Sequence, residues 1–124
     1  MADKKKILIV EDDQMISSMY KTKLEQDGFA VLIADNGSQG LELAGQEKPD
    51  LIMLDIILPQ LDGFSVLQEL KNNSKTKNTP VVMLTNLGTD EDKAKGEKLG
   101  ATGYLVKSDL TPAQVSKTVK KYIK

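Results

Sequence analysis

Six polar side chains stand directly after apolar segments of this chain, and their types suit phosphoryl transfer to a carboxylate. They are three consecutive acids, a fourth acid, a hydroxyl and an amine: Glu11, Asp12, Asp13, Asp55, Thr85 and Lys107. Carboxylates held at short range repel one another, and a divalent cation relieves that repulsion. Oxygen-only ligands favour Mg²⁺. Beside such a cation Asp55 can act as a nucleophile, with Lys107 as a second positive charge and Thr85 as a hydrogen-bond donor.

The composition excludes most other catalytic chemistry. The 124 residues include no Cys and no His, which removes thiolate and imidazole catalysis and the usual zinc ligands. All 17 basic residues are Lys, so bidentate guanidinium clamps on phosphate are absent. The net charge of −1 argues against a surface that binds nucleic acid. We therefore expect no direct contact with nucleic acid. No apolar run could span a membrane and no signal peptide opens the chain, so we also expect a cytoplasmic protein without membrane contacts.

Short apolar segments alternate with helix-period segments along the chain. The five apolar segments are 7–10, 29–34, 51–54, 81–84 and 104–106. Four of them are apolar at every position, which is typical of parallel strands covered by helices on both faces. Five strand–helix units predict one α/β domain over 1–124, a three-layer doubly wound (βα)5 parallel sheet. Because the carboxyl ends of parallel strands meet at one edge, we expect the polar residues to gather there.

Apolar residues three and four positions apart predict the helices. The stripes are Ile16, Met19, Tyr20 and Leu24; Leu41 and Ala44; Phe64, Leu67 and Leu70; and Val115, Val119, Tyr122 and Ile123. A capping box from Thr111 to Gln114, with Pro112 at the first helical position, predicts the start of the last helix. The fourth helix, near 90–99, has only Ala94 and Leu99 as apolar anchors, so we expect it to be held loosely.

The chain resembles a response-regulator receiver domain along its whole length. The resemblance rests on 7-ILIVEDD-13, 50-DLIMLDIILPQLDG-63, 81-VVMLTN-86 and 100-GATGYLVK-107. It implies a flavodoxin-like sheet with strand order 2-1-3-4-5. It also implies a phosphoprotein of two-component phosphorelay signalling, similar to the single-domain chemotaxis regulators. Such a protein is a phosphoacceptor switch, not an enzyme, because it catalyses only its own phosphorylation and dephosphorylation.

The resemblance implies a role for each residue around the acids. Glu11 and Asp12 match the acidic pair that holds Mg²⁺, and Asp13 falls just outside that pair. Asp55 matches the phosphorylated aspartate, which forms an aspartyl phosphate and also binds the metal. The backbone carbonyl of Ile57 matches the remaining protein ligand.

Three further matches concern the phosphoryl group and the switch. Thr85 matches the hydroxyl residue that turns toward the phosphoryl group, and Lys107 matches the lysine that pairs with its oxygens. Tyr104 matches an aromatic residue whose inward or outward rotamer reports the state of the switch. Among the departures from the commonest pattern, Asn86 stands where Ala is usual, and Ser108 stands where a cis proline is usual. A non-proline cis bond costs about 3 kcal/mol, so the loop at Ser108 is either trans or strained.

The resemblance also implies protein partners. A sensor histidine kinase or a phosphotransfer protein would donate the phosphoryl group to Asp55. Phosphorylation would then change how a downstream protein contacts the face made by the loop after Thr85, the fourth helix, the fifth strand and the fifth helix. We expect a monomer or a phosphorylation-dependent dimer. The chain ends with the fifth helix, so we expect the signal to leave by protein contact unless the chain is part of a longer protein.

Two other functions remain open. A receiver that has lost phosphorylation would serve only as a docking module, and Asn86 and Ser108 leave that reading open. A small Mg²⁺-dependent phosphohydrolase of the haloacid-dehalogenase kind uses a similar set of residues. That class has a second Asp two residues after its nucleophile, where this chain has Ile57. A flavodoxin-like carrier of flavin mononucleotide is disfavoured, because the acids after the first strand would repel its phosphate.

Overall fold

Five parallel strands form one sheet in the order β2-β1-β3-β4-β5, as the family resemblance implies. The computed structural model describes residues 4–85, 89–109 and 111–123. The strands are β1 (Lys6–Val10), β2 (Ala30–Ala34), β3 (Leu51–Asp55), β4 (Val81–Thr85) and β5 (Gly103–Val106). The helices are α1 (Gln14–Gln26), α2 (Gly37–Glu47), α3 (Gly63–Asn72), α4 (Asp90–Lys98) and α5 (Pro112–Tyr122), with a 3₁₀ turn at Lys107–Asp109. The predicted doubly wound, flavodoxin-like (βα)5 fold is confirmed.

The strand order reverses next to β1, because β2 pairs with one of its edges and β3 with the other. Val10 lies opposite Ala34 in β2 and opposite Leu54 in β3. The loops that leave β1 and β3 therefore diverge from adjacent points at the carboxyl edge of the sheet. In open α/β sheets such a point is where ligands bind.

Alternate residues of the central strands face opposite sides of the sheet, and each side has its own core. One core joins strand residues to α2 and α3: Leu8, Val10, Ile52, Leu54, Val81 and Met83 with Ala44, Phe64, Val66, Leu67 and Leu70. The other joins strand residues to α1 and α5: Ile7, Ile9, Leu51, Met53, Val82 and Leu84 with Tyr20, Leu24, Val115 and Val119. The buried strands are apolar at every position because both faces are covered.

Two of the predicted apolar anchors lie at the surface instead. Met19 of α1 is 46% exposed, and the buried position on that helix is taken by Ser17, whose hydroxyl donates to the Gln14 carbonyl. Ala94 of α4 is exposed, and Gly96 is the buried residue of that helix. In both helices a small residue lies closer to the sheet than the apolar residue that the periodicity pointed to.

Helix α4 is attached by few apolar contacts and by two lysine–aromatic contacts. Gly96, its buried residue, lies near the side chains of Met83 and Phe64, where even an added Cβ atom would be at ordinary contact distance, 3.6 and 3.9 Å. Two lysine ammonium groups add cation–π contacts, Lys95 over the Phe64 ring at 4.6 Å and Lys93 over the Tyr104 ring at 5.8 Å. The predicted weakness of this helix agrees with the small apolar area that it buries.

The ends of the helices follow the residues that cap them. The predicted capping box of α5 is present: Gln114 N–H donates to Thr111 Oγ1 at 3.2 Å, and Thr111 N–H donates to Gln114 Oε1 at 2.8 Å. Pro112 occupies the first turn. Among the described residues, no helix has the length and apolarity needed to cross a membrane.

Candidate functional site

The ends of β1 and β3 bring the predicted acids together. The two strands run side by side with Val10 opposite Leu54, so Glu11 and Asp55 are neighbours one residue further on. Asp55 is itself the last residue of β3, and Thr85 is the last residue of β4. Because both belong to the sheet, their backbones are fixed by strand pairing rather than by a loop.

Three of the acids form a compact cluster. One carboxylate oxygen from each of Glu11, Asp12 and Asp55 lies within 4.8 Å of the other two. Glu11 is 1% exposed and Asp55 5% exposed, whereas Asp12 faces solvent. The cluster lines an open cavity of about 260 Å³ at the strand ends. Oxygen atoms at this separation are close enough to share one small hard cation.

Lys107 reaches the same acids from the end of β5. Its Nζ donates to Asp55 Oδ2 at 2.9 Å and also pairs with Glu11 Oε1. The Lys107 side chain is only 7% exposed. A buried ion is costly unless it is paired and hydrogen-bonded, and here one ammonium group compensates two buried acids. Lys107 is thus the internal counter-ion of the cluster.

The shared environment shifts the pKa values of Glu11 and Lys107. Burial raises the pKa of Glu11 to about 8, a hydrogen bond with Asp55 acts in the same direction, and Lys107 opposes both. Burial alone would lower the pKa of Lys107, but its hydrogen bonds to Glu11 and Asp55 outweigh burial and raise it. Near neutral pH the cluster therefore favours a charged Lys107 and a protonated Glu11.

Asp13 and Ile57 form hydrogen bonds in the segments that follow β1 and β3, beside the cavity. Asp13 Oδ1 accepts from the N–H groups of Met15 and Ile16, at 3.0 and 3.2 Å, and so caps α1. This role explains why Asp13 lies outside the three-acid cluster. The Ile57 N–H donates to Asp55 Oδ1 at 3.2 Å, and the Ile57 side chain is 69% exposed at the cavity rim. The metal contact expected of the Ile57 carbonyl stays a prediction.

Thr85 and Tyr104 are connected at the neighbouring strand ends. Thr85 is 4% exposed at the end of β4, and Tyr104 is half-buried in β5. Burial raises the pKa of the Tyr104 phenol, while a side-chain hydrogen bond with Thr85 acts in the opposite direction. The two predicted switch residues therefore contact each other directly. A movement of Thr85 would change its hydrogen bond with the Tyr104 hydroxyl.

Sequence comparison decides the family. The profile of the response regulator receiver domain matches residues 7–120, which include every element from β1 to nearly the end of α5. The chain belongs to the response-regulator receiver family. It is thus a receiver domain of two-component signal transduction, as the resemblance implied.

Relatives of this receiver include both longer and similarly short proteins. The chain is 47% identical over 102 residues to the DNA-binding dual master transcriptional regulator RpaA of Synechocystis, covering 82% of this chain and 42% of RpaA. It is 41% identical over 104 residues to protein PilH of Pseudomonas aeruginosa, covering 82% of this chain and 84% of PilH. The receiver thus spans less than half the length of RpaA.

Solved structures agree with the fold. The chemotaxis protein CheY4 of Vibrio cholerae superposes with a TM-score of 0.92 at 32% sequence identity. The superposition covers 98% of this chain and 100% of CheY4. The receiver core described above is therefore shared with a chemotaxis regulator over nearly its full length.

The structure describes one of the two residues, Ser108 and Asn86, that depart from the common receiver pattern. No peptide bond among the described residues is cis, so the Lys107–Ser108 bond is trans. A trans bond is the ordinary geometry when Ser replaces Pro. Asn86 lies outside the described residues.

Tyr20 is a neighbour of the site that periodicity assigned only to the core. Burial raises the pKa of its phenol, and the charges of Lys107, Glu11 and Asp55 all act on it. The hydroxyl of Tyr20 is thus within electrostatic reach of the acid cluster from the α1 side. Its helical spacing signals burial, and no local pattern shows that the charges of the site act on its phenol.

Proposed function

We propose that this receiver accepts a phosphoryl group on Asp55 with the help of Mg²⁺ and that phosphorylation changes its protein contacts. The observation that carries the proposal is the arrangement of Asp55, which is buried at a strand end, within reach of two other acids and hydrogen-bonded to Lys107. Burial of a charged acid costs free energy unless a counter-ion or a metal compensates it, so a bland structural role for Asp55 is disfavoured.

The acid cluster fits a divalent cation. Oxygen atoms of Glu11, Asp12 and Asp55 lie within 4.8 Å of one another, and a set made only of oxygen ligands suits Mg²⁺. With the Ile57 carbonyl as a further ligand, the site would be open on the solvent side, where Asp12 is exposed. When bound, the ion would neutralise part of the negative charge that an incoming phosphoryl group carries.

The chain's own residues supply the rest of the chemistry. An Asp55 carboxylate oxygen forms a bond to phosphorus while the bond from phosphorus to an imidazole nitrogen of the donor breaks. That nitrogen keeps the electron pair and takes up a proton. The Lys107 ammonium, already beside Asp55 at 2.9 Å, moves to a phosphoryl oxygen. The Thr85 hydroxyl, buried at the adjacent strand end, donates to the same group.

The source of the phosphoryl group would be a sensor histidine kinase or a phosphotransfer protein. Ile57 at the cavity rim, and Met15 and Met19 in the first turns of α1, are exposed large apolar side chains, at 69%, 84% and 46%. Exposed apolar groups beside a reactive residue favour docking of an apolar protein surface. We infer that the donor protein contacts α1 and the rim at Ile57.

Phosphorylation would be transmitted to the opposite side of the cavity. A shift of Thr85 toward the phosphoryl group would alter its hydrogen bond with Tyr104, and Tyr104 contacts Lys93 of α4. A second cavity of about 230 Å³ opens between α4 and β5, with Lys93, Glu97, Tyr104 and Tyr122 in its lining. This face would bind a downstream protein with phosphorylation-dependent affinity.

Several finer features belong to the same proposal. The receiver would act as a switch and not as an enzyme on an external substrate, it would reside in the cytoplasm, and it would be a monomer or a phosphorylation-dependent dimer. RpaA is described as DNA-binding over a longer chain, so any DNA contact in this system would come from outside the receiver fold.

The first test is intact mass after incubation with acetyl phosphate. We expect one phosphoryl adduct that requires both Mg²⁺ and Asp55, and none on the Asp55→Asn variant. Absence of an adduct, with Mg²⁺ shown to bind, would favour the docking-module reading. Steady release of phosphate without a trapped adduct would favour the phosphohydrolase reading.

A further inference from the structure

Gly63, the first residue of α3, lies against the backbone that carries the phosphoacceptor. A Cβ atom placed on Gly63 would be 2.1 Å from the Asp55 carbonyl oxygen, 2.7 Å from Ile56 Cα and 2.9 Å from the Asp55 carbonyl carbon. All three distances are shorter than any van der Waals contact between such atoms. The atoms in the way belong to the main chain, so they cannot move aside as the end of a flexible side chain would.

The same residue closes the loop that follows Asp55. The Gly63 N–H donates to the Ile56 carbonyl at 2.7 Å, which joins the two ends of the 56–63 segment. Within that segment the Leu61 N–H donates to the Pro59 carbonyl at 2.7 Å, and Gln60 has a φ of 70°. Asp62 begins α3 by accepting from the Ser65 N–H at 3.0 Å. The loop is therefore fixed at both ends, by β3 and by the capped start of α3.

Ile57 belongs to this closed loop and touches the phosphoacceptor. Its N–H donates to Asp55 Oδ1 at 3.2 Å, and Ile56, the residue between them, accepts the Gly63 hydrogen bond. By contrast, Glu11 and Asp12 follow β1 and do not depend on α3. The site thus has two halves: Glu11 and Asp12 after β1, and Asp55 with the Ile57 loop, which the close approach of α3 holds against the end of β3.

We propose that Gly63 is a positioning residue for the metal and phosphoryl site, and that it acts through the Asp55–Ile57 backbone. The inference rests on the proposed function of Asp55. Any side chain at position 63 must either displace α3, which moves the Ile57 loop away from Asp55, or shift the end of β3, which separates Asp55 from Glu11 and Asp12. A cation that needs ligands from both halves loses affinity when one half is displaced, as happens when residues behind metal ligands are changed.

The experiment measures Mg²⁺ affinity by calorimetry on the wild type, Gly63→Ala and Gly103→Ala. Gly103 is the control for a new Cβ atom far from the acids, because that atom would lie 2.5 Å from the Tyr122 hydroxyl, the end of a side chain that can move. Gly63→Ala should unfold at a lower temperature without metal, and Gly103→Ala should be affected less. Only Gly63→Ala should also raise the dissociation constant for Mg²⁺, by about 10- to 100-fold. The rate of loading from acetyl phosphate at a fixed Mg²⁺ concentration should fall in parallel.

A second variant separates the close approach from the hydrogen bond. Replacing Gly63 by glycolic acid removes the N–H donor to Ile56 and adds no carbon atom, so α3 can stay where it is. We expect weaker Mg²⁺ binding from this ester variant as well, and it carries the test if Gly63→Ala does not fold.

The outcomes distinguish this inference from the proposed function. Wild-type protein that binds no Mg²⁺ would overturn the proposed function and, with it, the role of Gly63. Wild-type protein that binds Mg²⁺, together with a folded Gly63→Ala variant of unchanged affinity, would overturn the role of Gly63 alone. If Gly63→Ala does not fold, an ester variant of unchanged affinity would do the same. Equal losses of affinity in the Gly63 and Gly103 variants would also overturn it, because the effect would then follow general stability.

Discussion

At the residue scale, Lys107 and a bound metal ion would be counter-ions of the same acids. Its ammonium group pairs with Glu11 and Asp55, two of the three acids suited to hold Mg²⁺. Two cations near the same carboxylates repel each other. Metal binding therefore has to weaken at least one of the Lys107 contacts, which frees the ammonium group for a phosphoryl oxygen.

Removing this internal cation should strengthen metal binding and impair phosphorylation. We expect the Lys107→Met variant to bind Mg²⁺ about tenfold more tightly, equivalent to about 1.4 kcal/mol, because no ammonium competes for the acids. Loading from acetyl phosphate should be slower, because the phosphoryl oxygens lose their partner. Calorimetry and intact mass measure the two effects, with Lys98→Met on the exposed side of α4 as the control. Weaker Mg²⁺ binding by Lys107→Met would contradict this account.

Metal binding should also depend on pH through Glu11. Its pKa, raised by burial to about 8, means that the side chain is mostly protonated at pH 7 and must lose a proton to bind a cation. Below pH 8 the affinity for Mg²⁺ should therefore rise by up to about tenfold per pH unit, and it should level off above pH 8. Titrations between pH 6 and 9 test this. A Glu11→Gln variant should bind more weakly and show a flatter profile, and an equally steep profile in that variant would exclude Glu11 as the cause.

At the scale of elements, the helices are attached to the sheet unequally. Helix α3 buries Phe64, Val66, Leu67 and Leu70, whereas α4 buries only Gly96. Little apolar area means little free energy opposing local opening. Helix α4 is also the element that Tyr104 contacts through Lys93. The weakest element of the fold is thus the one nearest to the switch residues.

Local opening of α4 should be visible in hydrogen exchange. We expect the backbone amides of Asp90–Lys98 to exchange faster than those of α3 and α5 in the unphosphorylated protein. Mass spectrometry of exchanged peptides measures the difference. Equal protection of α3 and α4 would show that the lysine–aromatic contacts at Phe64 and Tyr104 hold α4 more firmly than its buried area indicates.

Helices α1 and α5 are joined by a polar contact between the C-terminal end of α1 and the middle of α5. The Ser116 hydroxyl of α5, which is buried, donates to Asp27 at the end of α1, and Lys23 and Lys120 also pair with Asp27. The hydrogen bond from Ser116 lowers the pKa of Asp27, although partial burial opposes it. Because the folded pKa is depressed, this contact stabilises the fold above the unfolded pKa and is lost as pH falls through the folded value.

Removing the hydroxyl should therefore destabilise the fold in a pH-dependent way. We expect Ser116→Ala to lower the thermal unfolding midpoint at pH 7 and to approach the wild type in acid, where Asp27 is protonated in both. Ser18→Ala, at an exposed position of α1, should change little. Thermal scans between pH 3 and 7 measure the gap, and a gap that stays constant across that range would exclude Asp27 as the partner.

At the scale of the whole molecule, the donor docking surface proposed for α1 adjoins the proposed phosphoryl site, and the two functions should be separable. We expect Met15→Gln with Met19→Gln to slow transfer from the phosphorylated donor protein by about tenfold, since buried apolar contacts at interfaces are worth about 1 kcal/mol or more. Loading from acetyl phosphate should be unchanged. Glu25→Gln, exposed on the same helix, is the control. Equal slowing with both donors would place the effect at Asp55 instead.

The sequence predicts the strand order through the family resemblance and the acid cluster through the positions after strands. Asp55 and Glu11 could be placed because parallel strands end at one edge, a rule that needs no side-chain detail. The solvent-facing Met19 and Ala94 could not, because periodicity does not show where a small residue lets a helix come closer to the sheet. Nor does any local pattern show that Gly63 touches the Asp55 backbone. Such contacts depend on how separate elements pack.

The division of the core by the sheet has a consequence for how such a protein can diversify. The buried residues that support α1 and those that support α3 and Gly96 of α4 belong to separate clusters on opposite faces. Substitutions without shared partners generally add in their effects. Substitutions that change the donor surface proposed for α1 can therefore accumulate without altering the partner surface proposed for α4. One phosphoacceptor chemistry, kept at the strand ends between them, can thus serve many unrelated circuits.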